Sequence, residues 1–139
     1  MRIRLTVSPA RAVWLGAVRR PVAIDEVQRA PDLLRKKRLP LRVMLHRASY
    51  LHYWPVGVVA VIAPWNFPFS IPFGEVVLAL LSGNAVIMKP SEVTPLVGLK
   101  IAEVLEHAGL PKNIFQIVLG DGLRGHALVT GGVDKVFFT

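Results

Sequence analysis

The 139-residue chain is 53% hydrophobic and 19% charged, which supplies enough apolar surface for one compact domain and argues against a disordered chain. It holds no cysteine, so disulfides, thiolate metal sites and a thiol nucleophile from these residues are excluded. The formal charge of +8 belongs to the first third, because residues 1–55 carry 12 basic side chains against 3 acidic ones, while residues 56–139 carry 5 against 6.

The chain divides into a basic, poorly patterned segment over residues 1–46 and a strongly patterned one over residues 47–139. In the first, Pro9, Pro21, Pro31 and Pro40 cut the sequence into short pieces. Asp25 to Lys37 has the composition of a short helix, broken at Pro31. The cluster Arg35-Lys36-Lys37-Arg38 reads as a solvated basic stretch. Its charge could meet nucleic acid or an anionic membrane surface, but no aromatic residues interleave with it to stack bases, so neither partner is expected. Met1 to Leu5 contains two arginines and lacks an apolar signal region, and a cytoplasmic location is expected. The uncharged interval from Arg47 to Glu75 is long enough to span a bilayer. Pro55, Pro64, Pro68 and Pro72 interrupt it, removing backbone hydrogen bonds that lipid cannot replace.

From Trp54 onward the order of elements is legible. Val56 to Ala63 is a continuous apolar, β-branched run, the pattern of a strand buried on both faces. Pro64 to Pro68 is a loop, and a helix follows over about Ile71–Ser82, with Pro72 in its first turn and Gly83 as its cap. Ala85 to Met88 is a second strand and Lys89 to Thr94 a loop. Thr94 and Pro95 start a helix whose apolar face is Val97, Ile101, Val104, Leu105 and Ala108, ending at Gly109. Ile114 to Leu119 is a third strand, Gly120-Asp121-Gly122 a turn, Leu123 to Val129 a short helix weakened by Gly125, and Lys135 to Thr139 a fourth strand. Alternating strands and helices imply right-handed crossovers and a parallel sheet: an α/β fold, an incomplete Rossmann-like sheet with flanking helices. Ligands of such sheets bind outside the carboxyl ends of the strands. Loops 64–69, 89–94 and 120–122 should therefore line one rim. His46, His52, His107 and His126 have no metal-ligand spacing.

The ordered set Pro64-Trp65-Asn66-Phe67-Pro68, Gly83-Asn84, Lys89-Pro90-Ser91-Glu92-Val93-Thr94-Pro95, Ala108-Gly109-Leu110-Pro111, Gly120-Asp121-Gly122 and Asp134 to Thr139 resembles the aldehyde dehydrogenase superfamily. The resemblance covers about residues 47–139, the first part of that family's NAD(P)-binding domain. It implies oxidation of a small-molecule aldehyde to a carboxylic acid by an enzyme that is homo-oligomeric when complete. In that chemistry a cysteine thiolate attacks the carbonyl, fixed donors hold the oxyanion, hydride leaves for the nicotinamide, and a glutamate activates water. The resemblance gives Asn66 the role of an oxyanion donor. It makes Lys89 and Glu92 the pair that contacts the adenosine ribose. A carboxylate accepts two ribose hydroxyls and repels a 2′-phosphate, so Glu92 favours NAD, with NADP the other option. Ile62, Ala63, Pro64 and Trp65 match positions lining the cofactor cleft. Gly120 and Gly122 match a turn passing near the adenine, where a missing side chain permits close approach.

The resemblance also defines what is missing. The nucleophilic cysteine, the general-base glutamate and the glycine-containing phosphate turn expected after Thr139 are not in these residues, so the chain alone is expected to be an inactive fragment. Many relatives carry lysine where this chain has Glu75. Val136 to Phe138 should lie on or near an incompletely covered sheet, which favours aggregation. A non-catalytic nucleotide-binding module and a basic nucleic-acid or membrane-surface binder are the competing readings.

Overall fold

The computed structural model describes residues 24–39 and 48–139. The readings of Met1–Leu5, Pro9, Pro21, Pro40 and His46 lie outside them. Helix α1 (Ile24–Leu33) leads into strand β1 (Lys37–Leu39), which pairs antiparallel with β2 (Ser49–Leu51). Pro31 does not break α1 but lies inside it. Being two residues from the end, it removes one backbone bond late in the helix, and Leu34 N–H still closes the final turn on Ala30 O at 2.9 Å. The β1–β2 hairpin went unpredicted, because three exposed residues per strand carry no apolar alternation.

The remaining elements are β3 (Val58–Ile62), α2 (Ser70–Leu81), β4 (Ala85–Lys89), α3 (Pro95–His107), β5 (Phe115–Ile117), α4 (Gly122–Thr130) and β6 (Lys135–Phe138). The four strands form one parallel sheet in the order β5-β4-β3-β6. This is the α/β architecture expected from the sequence. β3 is central and is buried from Val59 to Ile62, as its unbroken apolar run requires.

One sheet face carries the main core. Val59, Val61, Val86 and Met88 point to it, and Val76 and Val77 of α2 with Ile101 and Leu105 of α3 cover it. Full burial of each large side chain contributes about 1.5–3 kcal/mol. The buried stripe of α3 is Gly98, Ile101 and Leu105, whereas Val104 is 40% exposed. The apolar face is thus rotated from the one expected. The cause is Gly98, which lets α3 sit directly on Pro90 and Met88. Thr94 starts α3 without capping it, and its hydroxyl is buried without a partner among the described residues.

The chain steps from β3 to β4 to β5 and then returns past both to β6. A right-handed return places α4 on the opposite face from α2 and α3. Its packing agrees, since a Cβ on Gly125 would lie 3.4 Å from Lys89 Cδ and 4.0 Å from Ile62 Cδ1. The cover on this side is partial, and Phe138 remains 77% exposed. At the amino ends of the strands, Asn84 Oδ1 accepts the Val56 and Gly57 N–H groups at 2.7 and 3.1 Å, and Asp134 Oδ2 accepts Val58 N–H at 2.7 Å. These bonds fix where β3 begins.

Two glycine substitutions should separate packing from helix propensity. A Cβ at Gly98 would sit 2.6 Å from Pro90 Cγ, while one at Gly74 in α2 meets nothing within 4 Å. Gly98→Ala should destabilise the fold by about 1–3 kcal/mol, and Gly74→Ala should stabilise it by roughly 0.5–1 kcal/mol. Denaturant unfolding of both variants checks this, and equal effects would contradict the packing of α3 on Pro90.

Candidate functional site

The carboxyl ends of β3, β4 and β6 and the facing side of α4 enclose a cleft of about 370 Å³. Its first wall is the exit from β3, Ile62 to Trp65. Its second is the turn after β4, with Lys89, Ser91 and Glu92. Its third is the helix stripe Gly122, Gly125, His126 and Val129, and its edge is Phe138 and Thr139 at the end of β6.

The turn after β4 is built by local hydrogen bonds. Ser91 is buried, and its hydroxyl accepts Val93 N–H at 3.2 Å while its carbonyl accepts Thr94 N–H at 3.1 Å. The turn leaves Glu92 exposed and Lys89 buried. Lys89 lies under α4 beside Gly125, and a buried ammonium is costly unless its protons find acceptors. Here Nζ donates to Pro90 O at 3.2 Å and to Glu92 Oε2 at 3.4 Å. An ammonium has three protons and these are two long bonds, so it retains capacity toward the cleft. The Glu92 carboxyl is held below the usual carboxylate range, first by its own backbone N–H, then by the hydrogen bond and charge of Lys89, against weaker opposition from desolvation and Asp121. Glu92 is therefore an anion at neutral pH, displayed at the mouth of the cleft.

Glycine shapes the third wall. Gly120 has φ of 143°, a backbone region that favours glycine, and a side chain there would run into Arg124. This turn places Asp121 as the cap of α4, accepting Leu123 and Arg124 N–H at 3.1 and 3.4 Å. Gly122 and Gly125 then present bare backbone to the cleft.

Of the residues singled out from sequence, the fold brings Ile62, Ala63, Pro64, Trp65, Lys89, Glu92 and Gly122 together in one cleft. Gly120 shapes the turn before α4 but does not line the cleft. Asn66 also lies outside the lining, exposed in the loop before α2 with no hydrogen-bond partner among the described residues. Sequence reasoning missed Ser91, Gly125, His126, Val129, Phe138 and Thr139. A signal for three of them was present, because Gly122, Gly125, His126 and Val129 follow i, i+3, i+4, i+7 spacing and must share one helix face.

Glu75 reaches the same rim from α2. Thr139 Oγ1 donates to its Oε1 at 3.2 Å, and its Oε2 is buried without a partner among the described residues. Burial pushes this carboxyl above the usual range, and the Thr139 bond only partly opposes the shift. A folded-state value raised above the unfolded one means that the neutral form stabilises the fold. That contribution is complete below the unfolded value and is lost as pH rises through the folded one. Glu75→Gln keeps the shape and removes the titration. Thermal unfolding midpoints should therefore fall more steeply for the natural chain than for the variant as pH rises from about 4.5 toward neutral. Parallel curves would mean that Glu75 is not desolvated.

Comparison with known proteins identifies the family and the fold. The profile of the aldehyde dehydrogenase family matches residues 15–139. The N-succinylglutamate 5-semialdehyde dehydrogenase of Novosphingobium aromaticivorans is 44% identical over 96 residues, 68% of this chain and 20% of that protein. The 4,4'-diapolycopene aldehyde oxidase of Methylomonas sp is 39% identical over 138 residues, 89% of this chain and 26% of that protein. The solved structure of a Proline Utilization A variant from Bradyrhizobium japonicum superposes with a TM-score of 0.71 at 35% identity, over 81% of this chain and 12% of that one. The chain thus spans about a quarter or less of the length of these relatives.

Proposed function

The chain belongs to the aldehyde dehydrogenase family, and we propose that residues 48–139 hold the adenosine half of NAD within an enzyme that oxidises an aldehyde to a carboxylic acid. The observation that carries this reading is the Lys89–Glu92 pair. It places an anchored carboxylate and a partly satisfied ammonium at the mouth of a glycine-walled cleft, outside the carboxyl end of a parallel sheet.

These residues fit a ribose diol. Two adjacent hydroxyls can donate to the two carboxylate oxygens of Glu92 and accept from the remaining capacity of Lys89. Gly122 and Gly125 allow the rest of the nucleoside to approach the α4 backbone. The negative charge of Glu92 opposes a 2′-phosphate, which favours NAD over NADP. The bound dinucleotide supplies the hydride acceptor. Asn66, in the loop that follows the cleft-lining Ile62–Trp65 segment, would donate its side-chain amide to the oxyanion formed on the aldehyde. Its exposure and its lack of a hydrogen-bond partner among the described residues leave that amide available. With no cysteine in the chain, a thiol nucleophile would have to come from another segment. An enzyme of this kind is expected to be a homo-oligomer of the cytoplasm. Among the described residues no helix is long and apolar enough to cross a membrane.

The basic segment supports a nucleic-acid role less well. Tyr50, paired with Arg38 across the β1–β2 ladder, is already faced by Lys36, with Nζ 4.1 Å from its centroid. That protein cation competes with a base for the ring.

Two substitutions in a complete enzyme carrying this segment test the assignments together. Glu92→Gln should raise NADP affinity relative to NAD in competition binding, because the charge repelling the 2′-phosphate is gone while Lys89 remains. Asn66→Ala should lower turnover by about 10²–10³ at saturating NAD and leave NAD affinity nearly unchanged. An unchanged cofactor ratio removes Glu92 from the ribose site, and lost NAD binding with normal turnover removes Asn66 from the oxyanion site.

A further inference from the structure

We propose that Glu75 is a positioning residue of the cleft: whether its carboxyl carries a proton decides whether the Thr139 hydroxyl offers a hydrogen to an anionic ligand. The inference rests on the cleft being a dinucleotide site. Two bonds fix Thr139 at the edge of the cleft. Its N–H donates to Ile62 O at 3.4 Å, which holds the end of β6 beside the end of β3. Its Oγ1 lies 3.2 Å from Glu75 Oε1, which ties the same residue to α2. Thr139 lines the cleft and Glu75 does not, so the hydroxyl is the direct link between the carboxyl and a ligand.

A hydroxyl has one proton to give and two lone pairs, and an ionised carboxyl only accepts. Facing an ionised Glu75, Thr139 spends its proton on Oε1 and shows the cleft lone pairs, which repel an anionic oxygen. A neutral carboxyl can instead donate to Thr139 Oγ1, and the hydroxyl proton is then free for a ligand oxygen. The surroundings of Glu75 favour this neutral form. Its Oε2 is buried without a partner among the described residues, and an ionised oxygen so placed keeps its desolvation cost. Burial accordingly pushes the carboxyl above its usual range, against the weaker effect of the Thr139 bond. The charged and titratable groups around it belong to other elements. Lys89, Glu92 and His126 share the cleft, Lys135 stands at the far end of β6, and the exposed Arg29 and Asp32 lie on α1, which packs on α2. The ligand group that fits a freed hydroxyl proton is the diphosphate of a dinucleotide. Because binding then favours protonated Glu75, affinity is highest below the folded-state value of that carboxyl and falls as pH rises through it.

The test is binding of NAD, whose diphosphate keeps its charge throughout, to the full 139-residue chain by titration calorimetry from about pH 5 to about pH 8. Circular dichroism confirms that the variants fold. One hydrogen bond to a charged oxygen changes affinity by roughly tenfold, so the natural chain should bind about tenfold more weakly at the upper end. Glu75→Gln presents a neutral donor at every pH and should keep the tighter affinity throughout. Thr139→Val removes the hydroxyl and should bind weakly at both ends. Lys89, Glu92 and His126 are common to all three proteins, so their own titration cancels in the comparison. If Glu75→Gln loses affinity with pH as the natural chain does, the proposal is overturned while the dinucleotide reading stands. If Thr139→Val keeps the pH dependence, the hydroxyl does not carry the effect and the proposal is likewise overturned. Carboxyl-carbon NMR of Glu75 in the natural chain needs no variant: bound NAD should raise its titration midpoint, by the reciprocity of linked binding, and an unmoved midpoint contradicts the proposal. If the natural chain binds no NAD at any of these pH values, the reading of the cleft falls and the proposal falls with it.

Discussion

The Lys89 side chain lies in the gap between the end of β4 and the underside of α4, where Gly125 leaves just enough space for its methylenes. A Cβ at position 125 would meet Lys89 Cδ at 3.4 Å, at ordinary contact distance. A shorter residue at position 89 would leave the gap unfilled and Glu92 without its partner. Nζ lies at the turn after β4, where it donates to Pro90 O and Glu92 Oε2. A buried charge of this kind survives in a fold when acceptors surround it, and a pair left half satisfied is a weak source of stability. The arrangement is better explained by what it presents to the cleft than by what it adds to folding.

The two ends of the sheet are built on different principles. At the amino ends, polar side chains are consumed by the backbone. Asn84 satisfies two N–H groups of the β3 entry and donates to Ala79 O, and Asp134 satisfies a third at Val58. At the carboxyl ends, polar groups are held near one another without being exhausted. Asn66 has no partner among the described residues, Glu75 keeps one oxygen unpartnered, and the His126 ring faces the cleft. Saturated polar groups hold a fold together, and unsaturated ones at a cleft are where a ligand can find hydrogen bonds.

Much of this was legible in the sequence from Val58 onward, because strands buried on both faces read as unbroken apolar runs and the helices between them carry strong stops. Pro72, Pro95 and Gly109 fall where the helices begin and end. The rim loops could be named for the same reason. What escaped was decided by tertiary fit. The burial of Gly98 in place of Val104 follows from the position of Pro90, which no helical period records. The α4 wall of the cleft was hidden because Gly125 reads as a helix weakener when the close approach of Lys89 is unknown. The β1–β2 hairpin was hidden because its short strands are exposed and lack an alternating apolar face.

The central claim is that a nucleotide enters the cleft between the β4 turn and α4. Amide chemical-shift mapping of the chain during titration with NAD tests it most directly. The account predicts that shifts concentrate at residues 62–65, 89–92 and 122–129, with β1 and β2 unmoved. Shifts confined to the basic segment around Lys36–Leu39, or spread evenly over the sheet, would contradict it.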